Sequence, residues 1–490
     1  MSERPNIVFI MADQLRHDFL SCYGADFIST PNIDRIAAGG VRYANAYSEH
    51  PLCVAARVSL LTGMNAVKTG VGANGAFLRP DYADCGIDTW PETLAAAGYH
   101  TAAIGKMHFY PWDLSLGFAD RIITEDKRWL LIEDDYQQFL TAHGHRKYHG
   151  NEHEGYQENR GAIVSLLPRE LYWDHFVGEQ AAQYLSEYEG DKPLAMMVGF
   201  PGPHCPYDPT PDYLRQFDEA DMPAPAPEVE GQHPGLRRAN IASNKLPWNG
   251  VDYTEFTEAH KRKIRAHYAA LVKQIDDEVG RILTALEQRG MLENTVVLFA
   301  SDHGDYLGDH GLIGKGTFFE GSTHVPLLAL VPDALAPEGG TTAGSVCDEL
   351  VTLTDVTATM LELSGCNRPD HMDARPLPRL GLQESSSREV ITGFLDGAWM
   401  AFDGRWKLAK YGHGEAMLFD LSEDPREQRN LIDDAVGTSP YRQLDAAFTD
   451  SMMAAIPDSQ RDKMVYVQDL SADEAFGRSG WQRTYPRSWQ

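Results

Sequence analysis

Five short stretches of this 490-residue chain are apolar almost without interruption: NIVFIM (6–11), TAAIG (101–105), PLAMMVGF (193–200), TVVLFAS (295–301) and VPLLALV (325–331). A strand with one wet face alternates between apolar and polar residues. These runs do not, so they read as strands covered on both faces, as in a parallel sheet. Helical patterns lie between them at 89–99, 169–189, 258–290 and 354–365, and Gly290 stands where the longest should stop. Alternating strands and helices predict an α/β fold: a large, doubly wound, mostly parallel sheet flanked by helices. After residue 380 the pattern changes to short strands punctuated by turns, such as AWMAFDG, RWKLAKYG and AMLFDL. Residues 1–380 are therefore expected to form the catalytic α/β domain. Residues 381–490 are expected to form a smaller α+β subdomain with an antiparallel sheet. The closing stretch SADEAFGRSGWQRTYPRSWQ reads either as a loose tail or as an arm on a neighbouring subunit of a homo-oligomer.

Charge narrows the partners. With 43 basic and 71 acidic residues the formal net charge is -28, which repels nucleic acid and anionic membranes. An anionic substrate would need a local cluster of cations. The six cysteines are scattered and form no CxxC pair, which argues against a disulfide framework or a structural zinc site. The first apolar run reads as a strand and no run is long enough to span a bilayer, so a reducing, cytoplasmic location is expected.

Ligands of open α/β sheets bind beyond the carboxyl ends of the strands. Asp13-Gln14 end the first run and Asp302-His303 follow TVVLFAS, so two strand ends offer metal-competent side chains. Asp305, Asp309 and His310, in the same glycine-rich loop, read as solvated turn residues. Cations cluster at strand ends as well: Lys106 and His108 after the second run, His204 after the third, and Lys315 in the loop beyond Asp302. Arg57 lies one turn into a helix that Cys53 begins. Together they suit a tetrahedral oxyanion. Cys53 itself, in HPLCVAARVSLLTG, reads either as a buried thiol opening a core helix or as a precursor of some other group. The histidine-rich AHGHRKYHGNEH (142–153) reads as a polar insertion over the pocket mouth. Tyr110, Trp112 and Tyr207 read equally as pocket lining or as packing.

CVAARVSLLTG, TPNIDRIAAGGVRYANAY, GKMH and SDHGDYLGDHGLIGKG together resemble the sulfatase family of the alkaline-phosphatase-like superfamily. The resemblance runs from PNIVFIMADQLRHD to LFDLSEDPREQRNLI. It implies that a maturation enzyme oxidises Cys53 to formylglycine, whose hydrate carries two hydroxyls on one carbon. One hydroxyl attacks the sulfur of the ester and the alcohol leaves. Loss of the second hydroxyl's proton then expels sulfate and restores the aldehyde.

By the same resemblance, Asp13, Gln14, Asp302 and His303, with residue 53, hold one divalent metal. Arg57 holds the residue-53 hydroxyl, and Lys106 contacts that hydroxyl and the sulfate. His108 is the base for release of sulfate, and His204 and Lys315 bind the transferring group and assist the leaving alcohol. Gln14 and His303 stand where many sulfatases carry Asp and Asn, a set similar to the phosphonate monoester hydrolase branch and in part to choline sulfatases. The imidazole makes manganese or magnesium plausible beside calcium. Ala55 stands where proline is commonest in the motif. The implied reaction is hydrolysis of a carbohydrate, aryl or choline sulfate monoester. The alternatives are a phosphonate monoester or phosphodiester hydrolase on the same site, or an anion binder that keeps the Cys53 thiol.

Overall fold

The computed structural model describes residues 4–126, 128–229, 234–336, 340, 343–382, 388–412, 414–459 and 463–466. An eight-stranded sheet forms its centre: β1 (Asn6–Asp13), β2 (Val41–Tyr47), β4 (His100–Gly105), β5 (Asp120–Ile123), β6 (Leu194–Pro203), β7 (Thr295–Ser301), β8 (Leu327–Leu330) and β9 (Ser345–Thr352), in the order β5-β4-β6-β1-β7-β8-β2-β9. The short β3 (Ala76–Leu78) lies outside it. All neighbours from β5 to β7 are parallel, as is β2 with β9. The 325–331 run departs from the expected direction, because β8 is antiparallel to both β7 and β2.

The continuous apolar runs have the expected cause. On β1, Val8, Ile10 and Ala12 join one core and Ile7, Phe9 and Met11 the other, all fully buried. The first core is capped by the helices Trp173–Glu187 and Glu258–Gln288. The second is capped by the helices Cys53–Thr62, Trp90–Ala96 and Asp355–Leu363. Removing one such side chain, as in Ile10→Ala, costs about 2–5 kcal/mol. Gly290 ends the long helix with φ of 64°, as its position in the sequence suggested.

A separate antiparallel sheet runs β10 (Ile391–Leu395), β11 (Ala398–Phe402), β12 (Trp406–Tyr411) and β13 (Ala416–Asp420), backed by the helix Ser439–Ser459. Its β10–β11 turn reaches the catalytic side of the molecule, where Asp396 N donates to Gly72 O at 3.0 Å. Buried Lys407 ties it down further, 2.7 Å from Glu320 Oε1 and 2.5 Å from Glu427 Oε1. The strand β14 (Met464–Tyr466) returns to pair with β3. The closing stretch 471–490, read as a tail or an intersubunit arm, lies outside the described residues. No described helix is long and apolar enough to cross a membrane.

Candidate active site

Five parallel strands end side by side, and each delivers chemistry. β1 ends in Asp13, β4 leads to Lys106, β5 to Asp126 and Arg128, β6 to His204, and β7 to Asp302. Two glycines let β4 and β6 close up at this edge. A Cβ on Gly105 would lie 2.1 Å from Gly199 O, and one on Gly199 would lie 2.1 Å from Lys106 O. Lys106 N bonds Gly199 O at 2.8 Å, which carries the β4–β6 pairing one residue past the strand. Gln14 and His108 hold φ of 72° and 60°, a left-handed conformation that is costly for residues with a Cβ.

Cys53 opens the helix Cys53–Thr62 and is 1% exposed, so the reading of a buried helix-opening thiol is correct as far as it goes. The surroundings decide the rest. Its Sγ lies 3.1 Å from His303 Nε2 and 3.7 Å from Asp13 Oδ1. One atom each from Asp13, Cys53, Asp302 and His303 fall within 4.8 Å of one another. His303 Nδ1 faces its neighbour's carbonyl, Gly304 O, at 2.9 Å, which assigns the proton to Nδ1 and leaves Nε2 as a lone-pair donor. Burial opposes a charge on His303, but Asp302 and Cys53 outweigh it and raise its pKa. Two carboxylates, an imidazole nitrogen and residue 53 converging in a dry site fit a divalent cation.

Cations brace these acids. Arg57 donates from Nε to Asp302 Oδ2 at 2.9 Å, from Nη2 to Asp13 Oδ2 at 3.3 Å, and from Nη1 to Lys106 O at 2.7 Å. Arg57 thus holds the two carboxylates, whereas the family resemblance assigned it to residue 53. Lys106 Nζ lies 2.8 Å from Asp13 Oδ2 and 3.7 Å from Asp126 Oδ2, as a charge contact without hydrogen-bond alignment. Burial resists the Asp13 anion, but Lys106 and the cations around it hold its carboxyl well below the usual range. Burial and Asp13 also resist ionisation of the Cys53 thiol, yet Lys315 and His303 outweigh them and lower its pKa.

Gln14, expected as a ligand, has two side-chain partners. Its Oε1 accepts from Lys315 Nζ at 2.5 Å and its Nε2 donates to Asp305 Oδ2. An ammonium only donates and a carboxylate only accepts, so the amide orientation is fixed by its partners. Asp305, expected to be solvated, is fully buried; it also accepts from Tyr207 OH at 2.7 Å. Asp309 is likewise enclosed, between Arg16 and Arg265 at 2.6 Å each. His310 is 3% exposed and stacks on Phe319. The loop turns inward because it carries the partners of Gln14, Arg16 and Arg265.

His204 and Lys315 meet, Nε2 to Nζ, at 2.6 Å, while His204 Nδ1 faces Cys205 O at 2.7 Å. Burial, with Lys315 and Arg128 nearby, holds His204 well below an ordinary imidazole pKa. Burial, with Lys106 and Arg57, does the same to His108. Among the described residues His108 Nδ1 has no hydrogen-bond partner.

Cys53, Gln14, His108, His204 and Lys315 line one cavity of about 520 Å³. Its walls hold residues that sequence reasoning missed: Asn74, Arg128, Trp129, Trp248 and the turn 395–398. The signal was available in EDKRWLL (125–131), a charged and aromatic loop after a strand. Tyr110, Trp112 and Tyr207 do not line the cavity; Trp112 and Tyr207 are fully buried. The 142–153 stretch does not line it either. His143, His149 and His153 instead bond local backbone.

A family model described as Sulfatase matches residues 5–366. The chain belongs to the sulfatase family. Relatives include an arylsulfatase of Clostridium perfringens, 31% identical over 462 residues that cover 88% of this chain and 90% of that one. A choline-sulfatase of Rhizobium meliloti is 30% identical over 498 residues, covering 95% and 91%. The phosphonate monoester hydrolase of Agrobacterium radiobacter shares the fold, with a TM-score of 0.77 at 23% identity, covering 95% of this chain and 100% of that one. The sulfatase match ends at residue 366, so the four-stranded sheet, including the wall turn 395–398, falls outside it.

Proposed function

We propose that this sulfatase-family chain hydrolyses sulfate monoesters, converting R–O–SO3⁻ and water to an alcohol, sulfate and a proton. One observation carries the reading. Residue 53 stands at the cavity floor between carboxylates and an imidazole, within 3.7 Å of Asp13 Oδ1 and 3.1 Å of His303 Nε2. A soft thiol suits such a set poorly, and an oxygen suits it well. This supports Cys53 as the precursor of formylglycine, made by a maturation enzyme. As the hydrate, that residue supplies one hydroxyl to displace the alcohol and a second whose deprotonation releases sulfate. Asp13, Asp302 and His303, with residue 53, would hold one divalent cation, which supplies positive charge to the sulfate oxygens and to the nucleophile. We propose calcium, with magnesium or manganese as the alternatives; the imidazole favours neither strongly.

The chain's own side chains then divide the work. Arg57 fixes the two carboxylates, and Lys106 adds charge at Asp13. His108 is neutral and its Nδ1 is free to take a proton from residue 53. His204 and Lys315 act as a pair. The His204 proton is engaged at Nδ1 by a carbonyl, so the mobile proton of the pair belongs to Lys315. Lys315 therefore protonates the leaving alcohol, directly or through His204 Nε2. Gln14 holds Lys315 through Oε1, whose second lone pair suits the divalent cation.

Carbohydrate, aryl and choline sulfates are all chemically compatible with this floor. A cytoplasmic location is proposed on the scattered cysteines, which form no CxxC pair. A phosphonate monoester offers the same tetrahedral anionic centre and is the second reading, favoured by the Gln14–His303 pair. The test is kcat/KM for 4-nitrophenyl sulfate against 4-nitrophenyl phenylphosphonate, on protein with verified formylglycine and metal. Higher efficiency on the sulfate is expected; higher efficiency on the phosphonate reverses the assignment.

A further inference from the structure

One cation in the cavity has no task in that scheme. Arg128 follows β5 and is 9% exposed. Asp126 grips one edge of its guanidinium, with Nε 2.8 and 2.9 Å from the two carboxylate oxygens and Nη2 on Oδ2 as well. Its backbone N also donates to Asp126 Oδ1 at 2.9 Å, and its guanidinium carbon lies 4.9 Å over the Trp248 ring. The group is thus locked in place. The other edge is not spent: among the described residues Nη1 meets only the Cys205 thiol, at 3.9 Å. A fork with one edge clamped by a carboxylate and the other facing a cavity is an anion receptor.

Its position says which anion. Lys106, His204 and Lys315 already stand around residue 53, where the transferring sulfate belongs. Arg128 joins that set at its edge, next to His204 and across the Asp126 that Lys106 also faces, with two indoles that suit a flat ring beside it. Neighbouring amides do not compete: Asn240 is bonded at both ends to the Ile313 backbone, and Asn244 to Asn240 O and Asn249. Asn74, also in the cavity lining, spends its Oδ1 on Val54 N, which leaves its NH2 as a donor. Asp396 lines the cavity from an exposed turn, where water screens its charge.

Resting on the sulfatase reading, we propose that Arg128 binds a second negative charge on the alcohol half of the ester. The substrate is then a ring-bearing sulfate monoester whose leaving alcohol carries a carboxylate or a further sulfate. Choline sulfate, with a cationic alcohol, is disfavoured.

The test compares 3- and 4-carboxyphenyl sulfate with phenyl sulfate, in wild type and Arg128→Met matched for formylglycine and metal. Wild type should favour a carboxylated ester by about tenfold or more in kcat/KM, the worth of one charge-assisted hydrogen bond. That ratio should collapse in Arg128→Met and recover in part in Arg128→Lys. The ratio is the informative quantity, because releasing Asp126 to disturb Lys106 would slow all the esters alike. Equal losses on all of them, an unchanged ratio, or a wild-type preference for phenyl sulfate would overturn the proposal. If wild type hydrolyses none of them, the sulfatase reading fails on its own. Calorimetry with 3-hydroxybenzoate and phenol then decides about Arg128. Preference for the carboxylate that vanishes in Arg128→Met supports it, and equal affinities refute it.

Discussion

The floor of the cavity and its wall are held by different means. Beneath the floor, where Cys53 lines the cavity, Asp13, Asp302, His303, Arg57 and Lys106 are each 0–2% exposed, and all but Arg57 follow directly from buried parallel strands. Asp13, Asp302, Arg57 and Lys106 are cross-tied by charged contacts, and His303 Nε2 lies 3.7 Å from Asp302 Oδ1. On the wall, Arg128 and Trp129 come from a loop, Trp248 from another, and residues 395–398 from a second sheet. Trp129 and Trp248 are only half-buried. A rigid floor suits chemistry that tolerates no displacement, and a loop-built wall can change its ligand without disturbing it. The comparison predicts that floor substitutions abolish turnover of every ester, while wall substitutions alter which ester is preferred.

The largest effect should come from Cys53→Ala. It removes the nucleophile, so kcat should fall by about 10⁴-fold or more on all esters. Thermal unfolding should move little, since a single small side chain is lost, about 1 kcal/mol. Residual activity within tenfold of wild type would show that the floor is not where the chemistry occurs.

Lys315→Ala sits between floor and wall and sharpens the division. Loss of a general acid costs about 10²–10⁴-fold. The loss should be large for phenyl sulfate and much smaller for 4-nitrophenyl sulfate, whose leaving group needs no proton. Equal losses on the two would make Lys315 a binding group only.

The smallest effect concerns a buried acid outside both regions. Burial pushes Glu49 to about 7 from an ordinary 4.5, with Thr354 as its hydrogen-bond partner. Its folded pKa exceeds the unfolded one, so the folded chain binds more protons between those values. The stability it contributes is full below about pH 4.5 and is lost as pH rises to about 7. Glu49→Gln should therefore flatten the fall in stability across that window by about one proton, leaving the relative kcat/KM of different esters unchanged. Thermal unfolding from pH 5 to 8 reads the first, and an ester panel the second. A changed ester preference would blur the separation of floor from wall.

The floor was legible in the sequence and the wall was not, for a physical reason. Strands buried on both faces must be continuously apolar, so β1, β4, β6 and β7 announced themselves, and the residues just beyond them became candidates. β5 is an edge strand and reads DRII, with two charges in four residues, so the loop that carries Arg128 had no visible anchor. The turn 395–398 could not be placed from sequence, because its docking depends on Gly72, more than 300 positions earlier. Asp305 failed for the same reason. Its burial follows from Gln14, 291 positions away, and Tyr207, 98 away, and an acid in a glycine-rich loop otherwise reads as solvated. The direction of β8 was also hidden, since an apolar run says that a strand is buried and not which way it runs.

The central claim is that residue 53 works as an aldehyde and not as a thiol. The most direct measurement is peptide mass spectrometry of the tryptic fragment 43–57, paired with kcat on the same preparations made with and without the maturation enzyme. Conversion exchanges one sulfur and two hydrogens for one oxygen. The account predicts that kcat rises in proportion to the converted fraction and extrapolates to zero where only the thiol remains. Full turnover in a preparation whose residue 53 is entirely thiol would contradict it.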